Sequence, residues 1–195
     1  ARIALLQCEL EHRHQAPHLA MCLYARDLRR DGHSVRCALV HPTGLEQAAR
    51  ELAGDLDLLV MDSIFPFAMA RFLRAQIGAQ TLVGGHAALQ YALRGPSDLA
   101  VVGPGRAALR RVARCLDEGR SPHDVPGLWF RRDDGVLDCC PGSGTPDLEA
   151  ELLPFDPELD WEYFGPPRAP ESNLRVPSVV ADLGCVWNRS ILRDE

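Results

Sequence analysis

The sequence of 195 residues predicts an α/β fold, a doubly wound parallel sheet of five strands with a flavodoxin-like or Rossmann-like arrangement. Short apolar runs of strand length alternate five times with segments whose apolar residues recur at a helical period. The strand segments are almost continuously apolar, which is typical of parallel strands covered by helices on both faces. We therefore expect any ligand to lie beyond the carboxyl ends of the strands, where the strand order reverses.

The first half of this pattern is the clearest. "RIALLQ", residues 2–7, is a short apolar run followed by polar turn-like residues, which predicts a buried strand. A helix is predicted over residues 17–32, with Pro17 in its first turn and Gly32 as its C-terminal stop. "HSVRCALV", residues 33–40, follows as the second strand.

The pattern then repeats to about residue 120. Residues 44–54 read as a helix, and "DLDLLVM", residues 55–61, as a fully buried third strand. The remaining segments alternate in the same way, with a helix at 67–78 that ends in glycine, a strand at 80–85, a short helix at 86–93, a strand at 97–103 and a capped helix at 106–119.

The alternation of strand and helix patterns ends after about residue 120. Residues 1–122 are predicted to form the flavodoxin-like, cofactor-binding domain, and residues 123–175 a small hairpin followed by an extended Pro-rich linker. The sequence Asp134-Gly135 is typical of the turn of that hairpin. Residues 176–195, "VPSVVADLGCVWNRSILRDE", return to a strand pattern that ends in Gly-Cys.

Composition restricts the partners and the location. The net charge of −6 argues against nucleic acid and anionic membranes as partners. No run of about 18 apolar residues appears, so no transmembrane helix is expected. A signal peptide is not expected either, because no basic segment follows Ala1. Seven cysteines at irregular spacing fit a reducing cytoplasm better than a disulfide framework.

Glycines follow two of the predicted strands. Gly84 and Gly85 end the fourth strand, where a missing Cβ lets the backbone approach a bulky planar ligand. A tight strand-to-helix turn explains the same pair equally well. Gly103 and Gly105 follow the fifth strand, at a helix N-terminus that could receive a phosphate or amide oxygen. Their spacing is not that of a dinucleotide fingerprint, which argues against NAD.

Polar residues follow the first and third strands. His12, His14 and His18 have a spacing that could suit a metal, although nothing completes a zinc set, and a solvated loop is the alternative. Ser63 is placed either to cap a helix or to bind a ligand. Asp62 could act as a base, but nothing beside it assigns that role. No catalytic triad, paired carboxylates or P-loop is found, so this domain is predicted to bind rather than to catalyse.

Several segments, taken in order and spacing, resemble the N-terminal part of cobalamin-dependent radical S-adenosylmethionine (SAM) enzymes. The resemblance covers nearly the whole chain. It rests on the segments "PHLAMCLYARDLRRDGHSV", "TLVGGHAAL", "DLAVVGPGRAALRRVARCLDEG", "DVPGLWFRRDDGVL", "LLPFDPELDWEYF" and "VPSVVADLGCVWN".

The resemblance implies a cobalamin site at the ends of the strands. The residues that it implies are His12, His14, Ser63, Ile64, Phe65, Gly84, Gly85, His86, Gly103 and Gly105. Many cobalamin domains carry D-x-H-x-x-G after the first strand, and the nearest match here is His12-x-His14-x-x-Pro17. His14 could therefore reach cobalt. Because the radical SAM branch commonly lacks that ligand, we expect base-off cobalamin without a histidine on the metal.

The same resemblance implies a role for Cys185 as a ligand of an iron-sulfur cluster. In the family, a strand ending in Gly-Cys delivers the first cysteine of a C-x3-C-x2-C loop that holds a [4Fe-4S] cluster. Here the second and third positions are Arg189 and Leu192. One thiolate cannot hold the cluster, so this chain is not expected to cleave SAM. Either the barrel with its cluster loop follows residue 195, or this copy is degenerate.

Three functions are compatible with these observations. The first is a cobalamin-binding module that works with a radical SAM barrel, in cis or in trans, in a methyltransferase or a radical-rearrangement enzyme. The second is a flavodoxin-like binding or regulatory domain that has lost its corrin site, as His12, Pro17 and Arg106 depart from the family pattern. The third is a flavin or nucleotide-sugar protein on the same fold.

Overall fold

Seven strands form one sheet in the computed structural model, which describes residues 1–8, 19–62, 65–85, 87–102 and 105–141. In chain order the strands are β1 (Arg2–Cys8), β2 (Ser34–Val40), β3 (Leu58–Asp62), β4 (Gln80–Gly84), β5 (Leu99–Val101), β6 (Leu128–Arg131) and β7 (Leu137–Cys139). Their order across the sheet is β2-β1-β3-β4-β5-β6-β7. The first five are mutually parallel, which confirms the predicted doubly wound, flavodoxin-like fold.

Helices follow the strands as the sequence predicts. They are α1 (Leu19–Arg30), α2 (Leu45–Leu52), α3 (Phe67–Ile77), α4 (Ala88–Arg94) and α5 (Gly105–Asp117), with short 3₁₀ turns at Pro42–Gly44 and Pro122–Asp124. No described helix has the length and apolar character needed to cross a membrane.

Two apolar layers cover the sheet because the strand residues alternate between its faces. On β1, Ile3 and Leu5 point into the layer that contains α1 and α5. Their neighbours Ala4 and Leu6 point into the opposite layer, with α2 and α3. All four side chains are fully buried, which is why the strand has no polar face in the sequence.

The hairpin is part of this sheet. The sequence predicted two strands turning at Asp134-Gly135, and the turn is confirmed, with a positive φ at Gly135 and its N–H donating to the Arg132 carbonyl at 2.8 Å. The structure adds that β6 pairs antiparallel with β5. Without this pairing β5 would be an exposed edge, so the hairpin covers it and extends the sheet to seven strands.

One arginine fastens the hairpin to α4. The Arg131 guanidinium donates to the carbonyls of Ala92 and Leu93, at 3.0 and 2.8 Å, and to that of Gly135 at 3.2 Å. The first two acceptors belong to the last turn of α4, where carbonyls lack partners within the helix and attract positive charge. The hairpin therefore caps α4 as well as the sheet.

Strand β5 is shorter than predicted. Residues Ser97 and Asp98, which the sequence placed in the strand, precede it. The Asp98 carboxylate instead accepts hydrogen bonds from the backbone N–H and the hydroxyl of Thr81, at 2.9 and 2.8 Å. This link ties the amino-terminal ends of β4 and β5 and stops the ladder there.

Truncation of the buried hairpin residue Leu128 should destabilise the whole sheet. Leu128 is fully buried in the layer with α1 and α5, so Leu128→Ala is expected to lower the free energy of unfolding by about 2–5 kcal/mol. Val136→Ala, at an exposed hairpin position, is the matched control and should change it by less than about 0.5 kcal/mol. Urea denaturation measures both. Equal, small effects would show that the hairpin does not contribute to the core.

Candidate functional site at the carboxyl edge of the sheet

The carboxyl ends of four neighbouring parallel strands meet at one edge of the sheet, which we call the carboxyl edge. Asp62 of β3 is opposite Gly84 of β4, and Gly84 is opposite Val101 of β5. On the other side of β3, Leu6 is opposite Met61, and Cys8 ends β1 two residues later. The strand order reverses between β1 and β3, which is where open α/β sheets bind their ligands.

Gly84 is the predicted site residue for which the structure gives the most information. It is half-buried, and a Cβ added to it would meet no atom of the described residues within 4 Å. Its φ is not positive, so neither its backbone conformation nor packing against the described residues requires glycine there. The strand-to-helix turn therefore does not explain Gly84. Open space beside a strand end favours the interpretation that this glycine leaves room for a ligand.

Gly85 differs from its neighbour. Its φ of +110° is a conformation that favours glycine, and its carbonyl accepts a hydrogen bond from the Ala88 N–H at 3.1 Å. The tight turn leading into α4 thus accounts for Gly85. A backbone contact between Gly85 and a ligand stays a prediction.

Gly105 has a packing role. A Cβ at this position would lie 2.9 Å from the Tyr24 hydroxyl, so the missing side chain allows the start of α5 to approach α1 closely. The sequence explained this glycine by a ligand at the helix N-terminus. The contact with Tyr24 gives this glycine a packing role, and the ligand contact stays a prediction.

Phe65 is part of the core. Its side chain is only 2% exposed and packs in the layer that contains Met61 and Met69. Its backbone N–H donates to the Asp62 carbonyl at 3.3 Å, which turns the chain away from β3. A role for the Phe65 side chain in contacting a cofactor stays a prediction, and its burial supports packing instead.

The other predicted site residues lie outside the described part of the chain, and their roles stay predictions. They are His12, His14, Ser63, Ile64, His86, Gly103 and Cys185. Within the described part, no three His, Cys, Asp or Glu side chains are close enough together to hold a metal ion. The six described cysteines form no disulfide.

Three buried polar side chains lie beneath the carboxyl edge, and we call them the polar floor: Cys8, Asp62 and Tyr91. They are 6%, 8% and 1% exposed. Burial raises the pKa of the Tyr91 hydroxyl to about 12, and the charges of Asp62 and Cys8 add to the increase. Cys8 and Tyr91 also pack in one buried layer, together with Met61, the residue before Asp62.

The Tyr91 ring is held by an aromatic neighbour. Phe67, the first residue of α3, meets it edge-to-face with ring centroids 4.5 Å apart, and Arg94 lies over the Phe67 ring at 4.9 Å. Sequence reasoning noted Asp62 without a role and missed Tyr91. The segment "HAALQYAL" shows that Tyr91 is helical but does not show which strand ends it faces.

Arg106, which departs from the pattern of the enzymes that the sequence resembles, has a clear structural role. Its guanidinium pairs with the carboxylate of Asp27 on α1, with Nη2 to Oδ1 at 3.0 Å, and both side chains are largely buried. The arginine thus joins α5 to α1. Its presence does not by itself indicate that a ligand site has been lost.

No protein-family model matches this chain, and no curated protein matches it in sequence. Solved structures do resemble it. The cobalamin-dependent SAM radical enzyme OxsB, solved with aqua-cobalamin and SAM bound, has a TM-score of 0.65 and 18% sequence identity over 83% of this chain and 24% of its own. The radical SAM methyltransferase TsrM from Kitasatospora setae, solved with cobalamin and a [4Fe-4S] cluster bound, has a TM-score of 0.56 and 20% identity over 80% of this chain and 32% of its own.

This chain has the fold of a part of those enzymes. The structural likeness agrees with the resemblance predicted from the sequence segments, and it extends over most of the 195 residues. The chain spans about a quarter to a third of the length of the structures it matches. At 18–20% identity the likeness establishes the fold, and function must be argued from the site.

The polar floor should make stability fall at high pH. An exposed tyrosine ionises near pH 10, whereas Tyr91 ionises near 12, so between these values the unfolded chain has lost a proton that the folded chain keeps. The free energy of unfolding is expected to fall as the pH rises through this window. In Tyr91→Phe the free energy of unfolding should fall less steeply with pH, as measured by urea denaturation at several pH values. An identical slope in both proteins would show that the hydroxyl is not buried.

Proposed function

We propose that this chain binds cobalamin at the carboxyl edge and forms the cobalamin-binding part of a radical SAM enzyme. The single observation that carries the proposal is Gly84, a glycine that leaves open space at the carboxyl edge, one strand from the switch point, in a fold shared with enzymes solved with cobalamin bound. A corrin ring is broad and planar, and it needs a strand end without side chains. Gly84 fits that requirement.

The residues that would hold the cofactor follow the strands that meet at this edge. The backbone of Gly84 and Gly85 would face the corrinoid, and Ser63 and Ile64 would border its nucleotide tail. His12, His14, His86, Gly103 and Gly105 complete the proposed set, with the cobalt lacking a histidine ligand. When bound, cobalamin supplies a cobalt centre that carries a methyl group. The protein residues position the cofactor and exclude water from it.

The iron-sulfur cluster does not fit the residues of this chain. Cys185 is followed by Arg189 and Leu192 at the positions where two further thiolates would be needed. We therefore propose that the cluster and SAM belong to a barrel supplied in cis or in trans. The complete enzyme would then be a methyltransferase or catalyse a radical rearrangement, in the cytoplasm, where free thiols persist.

The alternative functions have less support. Arg106 was one reason to consider a regulatory domain without a corrin site. The ion pair between Arg106 and Asp27 gives this arginine a structural role, so it no longer supports that alternative. A flavin protein would also use the carboxyl edge. No described feature favours either of them over cobalamin.

Retention of a corrinoid tests the proposal directly. Purified protein mixed with hydroxocobalamin should elute from gel filtration with the visible absorbance of the corrinoid at about one equivalent per chain. The same experiment with FMN should leave the protein colourless. Retained flavin without retained corrinoid would overturn the proposal in favour of a flavin protein.

A side chain at Gly84 should abolish binding without unfolding the protein. Since a Cβ there meets no atom of the described residues, Gly84→Val is expected to keep or slightly raise the thermal midpoint, because glycine weakens strands. Corrinoid retention should be lost.

Gly44→Val is the control, at another glycine without positive φ and with no described atom near a Cβ, located after β2 and three strands from β4 in the sheet. This variant should retain the corrinoid. Undiminished retention by Gly84→Val would show that the space beside Gly84 is not the site.

A further inference from the structure

The hydroxyl of Tyr91 is a buried polar group for which the packing of the fold gives no reason. It is fully buried, and it has no hydrogen-bond partner among the residues that the structure describes. Buried polar groups are almost always hydrogen-bonded, because leaving one without a partner costs about 1–3 kcal/mol. The ring packs against Phe67 by its edge, a contact that phenylalanine would make equally well.

The surroundings of this hydroxyl are those of the proposed site. Tyr91 lies three residues after the start of α4, the helix that Gly84 and Gly85 lead into. Asp62, whose charge acts on the hydroxyl, is the register partner of Gly84 on the next strand. Cys8, the other nearby group, ends β1 across the switch point. Tyr91 packs in the same buried layer as Cys8, Met61 and Val83, which stand at or next to the ends of β1, β3 and β4.

The Tyr91 hydroxyl and the Asp62 carboxylate bring a donor and an acceptor to the same end of the sheet. The neutral Tyr91 hydroxyl donates a hydrogen bond, and a carboxylate such as Asp62 only accepts. A primary carboxamide has the complementary groups, a carbonyl that accepts and an N–H that donates. A carboxylate on the ligand would instead be repelled by Asp62.

We propose that Tyr91 is a further ligand-binding residue of this protein, whose hydroxyl donates to the carbonyl of a ligand carboxamide while the Asp62 carboxylate accepts from its N–H. The proposal rests on the proposed function, because cobalamin carries primary carboxamides around its corrin ring. It assigns to the polar floor the recognition of one of those amides. It also explains why a tyrosine, and not a phenylalanine, is buried against Phe67.

Deletion of the hydroxyl separates binding from stability. In Tyr91→Phe the dissociation constant for hydroxocobalamin, measured by visible titration, is expected to rise about 3- to 10-fold, the effect of one lost hydrogen bond. The thermal midpoint of the ligand-free protein should stay unchanged or rise, because no partner is lost.

Thr81→Val is the matched control, since it deletes a buried hydroxyl that does have partners. Thr81 Oγ1 donates to Asp98 at 2.8 Å and accepts the Asp98 N–H at 2.9 Å, at the opposite end of β4. This variant should lower the thermal midpoint and leave the dissociation constant unchanged.

The ligand can be varied as well. In a cobalamin monocarboxylate, one side-chain amide is replaced by a carboxylic acid, and each isomer carries the acid at a different position. The isomer with the acid at the position that contacts the polar floor should bind the wild-type protein more weakly than hydroxocobalamin does. Asp62→Asn should reduce that difference, because the repulsion is removed. Equal affinity of the wild-type protein for all isomers would overturn the assignment.

The outcomes distinguish this inference from the proposed function. If the wild-type protein retains no corrinoid, the proposed function fails and the inference fails with it. If the wild-type protein and Tyr91→Phe bind hydroxocobalamin equally well, only the inference fails. A lowered thermal midpoint in Tyr91→Phe with unchanged affinity would also overturn it, since the hydroxyl would then serve the fold.

Discussion

The structure depends on the parallel pairing of β1 with strands on both of its sides. Paired with β2 on one side and β3 on the other, β1 contributes alternate residues to both apolar layers. Its burial on both faces is what makes a two-layer helical cover necessary. The same position also creates the reversal of strand order, so the strand that anchors the core is the strand beside which a ligand is expected.

Much of this fold could be predicted from the sequence because its signals are local. Five apolar runs alternate with helical periods, and the stops at Gly32 and Gly78 mark helix ends that the structure reproduces with positive φ. The pairing of the hairpin with β5 could not be predicted, because antiparallel addition to an edge depends on register between residues about 30 positions apart. Likewise, no local signal shows that Asp98 bonds Thr81 and shortens β5.

The site was predicted less completely, and individual residues show why. Two adjacent glycines look alike in a sequence, yet Gly85 serves a turn and Gly84 leaves open space. Gly105 resembles a phosphate-binding glycine until the Tyr24 hydroxyl is seen beside it. Tyr91 carries no motif, and its place in one buried layer with Cys8 and Met61 depends on residues far from it in the sequence. Arg106 looked like a lost site residue because its partner Asp27 is 79 positions away.

The clamp formed by Arg131 has a consequence for how the protein must be handled. The carbonyls that it holds belong to the last turn of α4, the helix that carries Tyr91. A fragment cut after α5, where the repeating pattern ends, would contain all of the glycines at the carboxyl edge but would lack this clamp and the cover of β5. The smallest unit able to present an intact edge therefore extends through β7, because truncation at the predicted domain boundary would remove the support that Arg131 gives to α4.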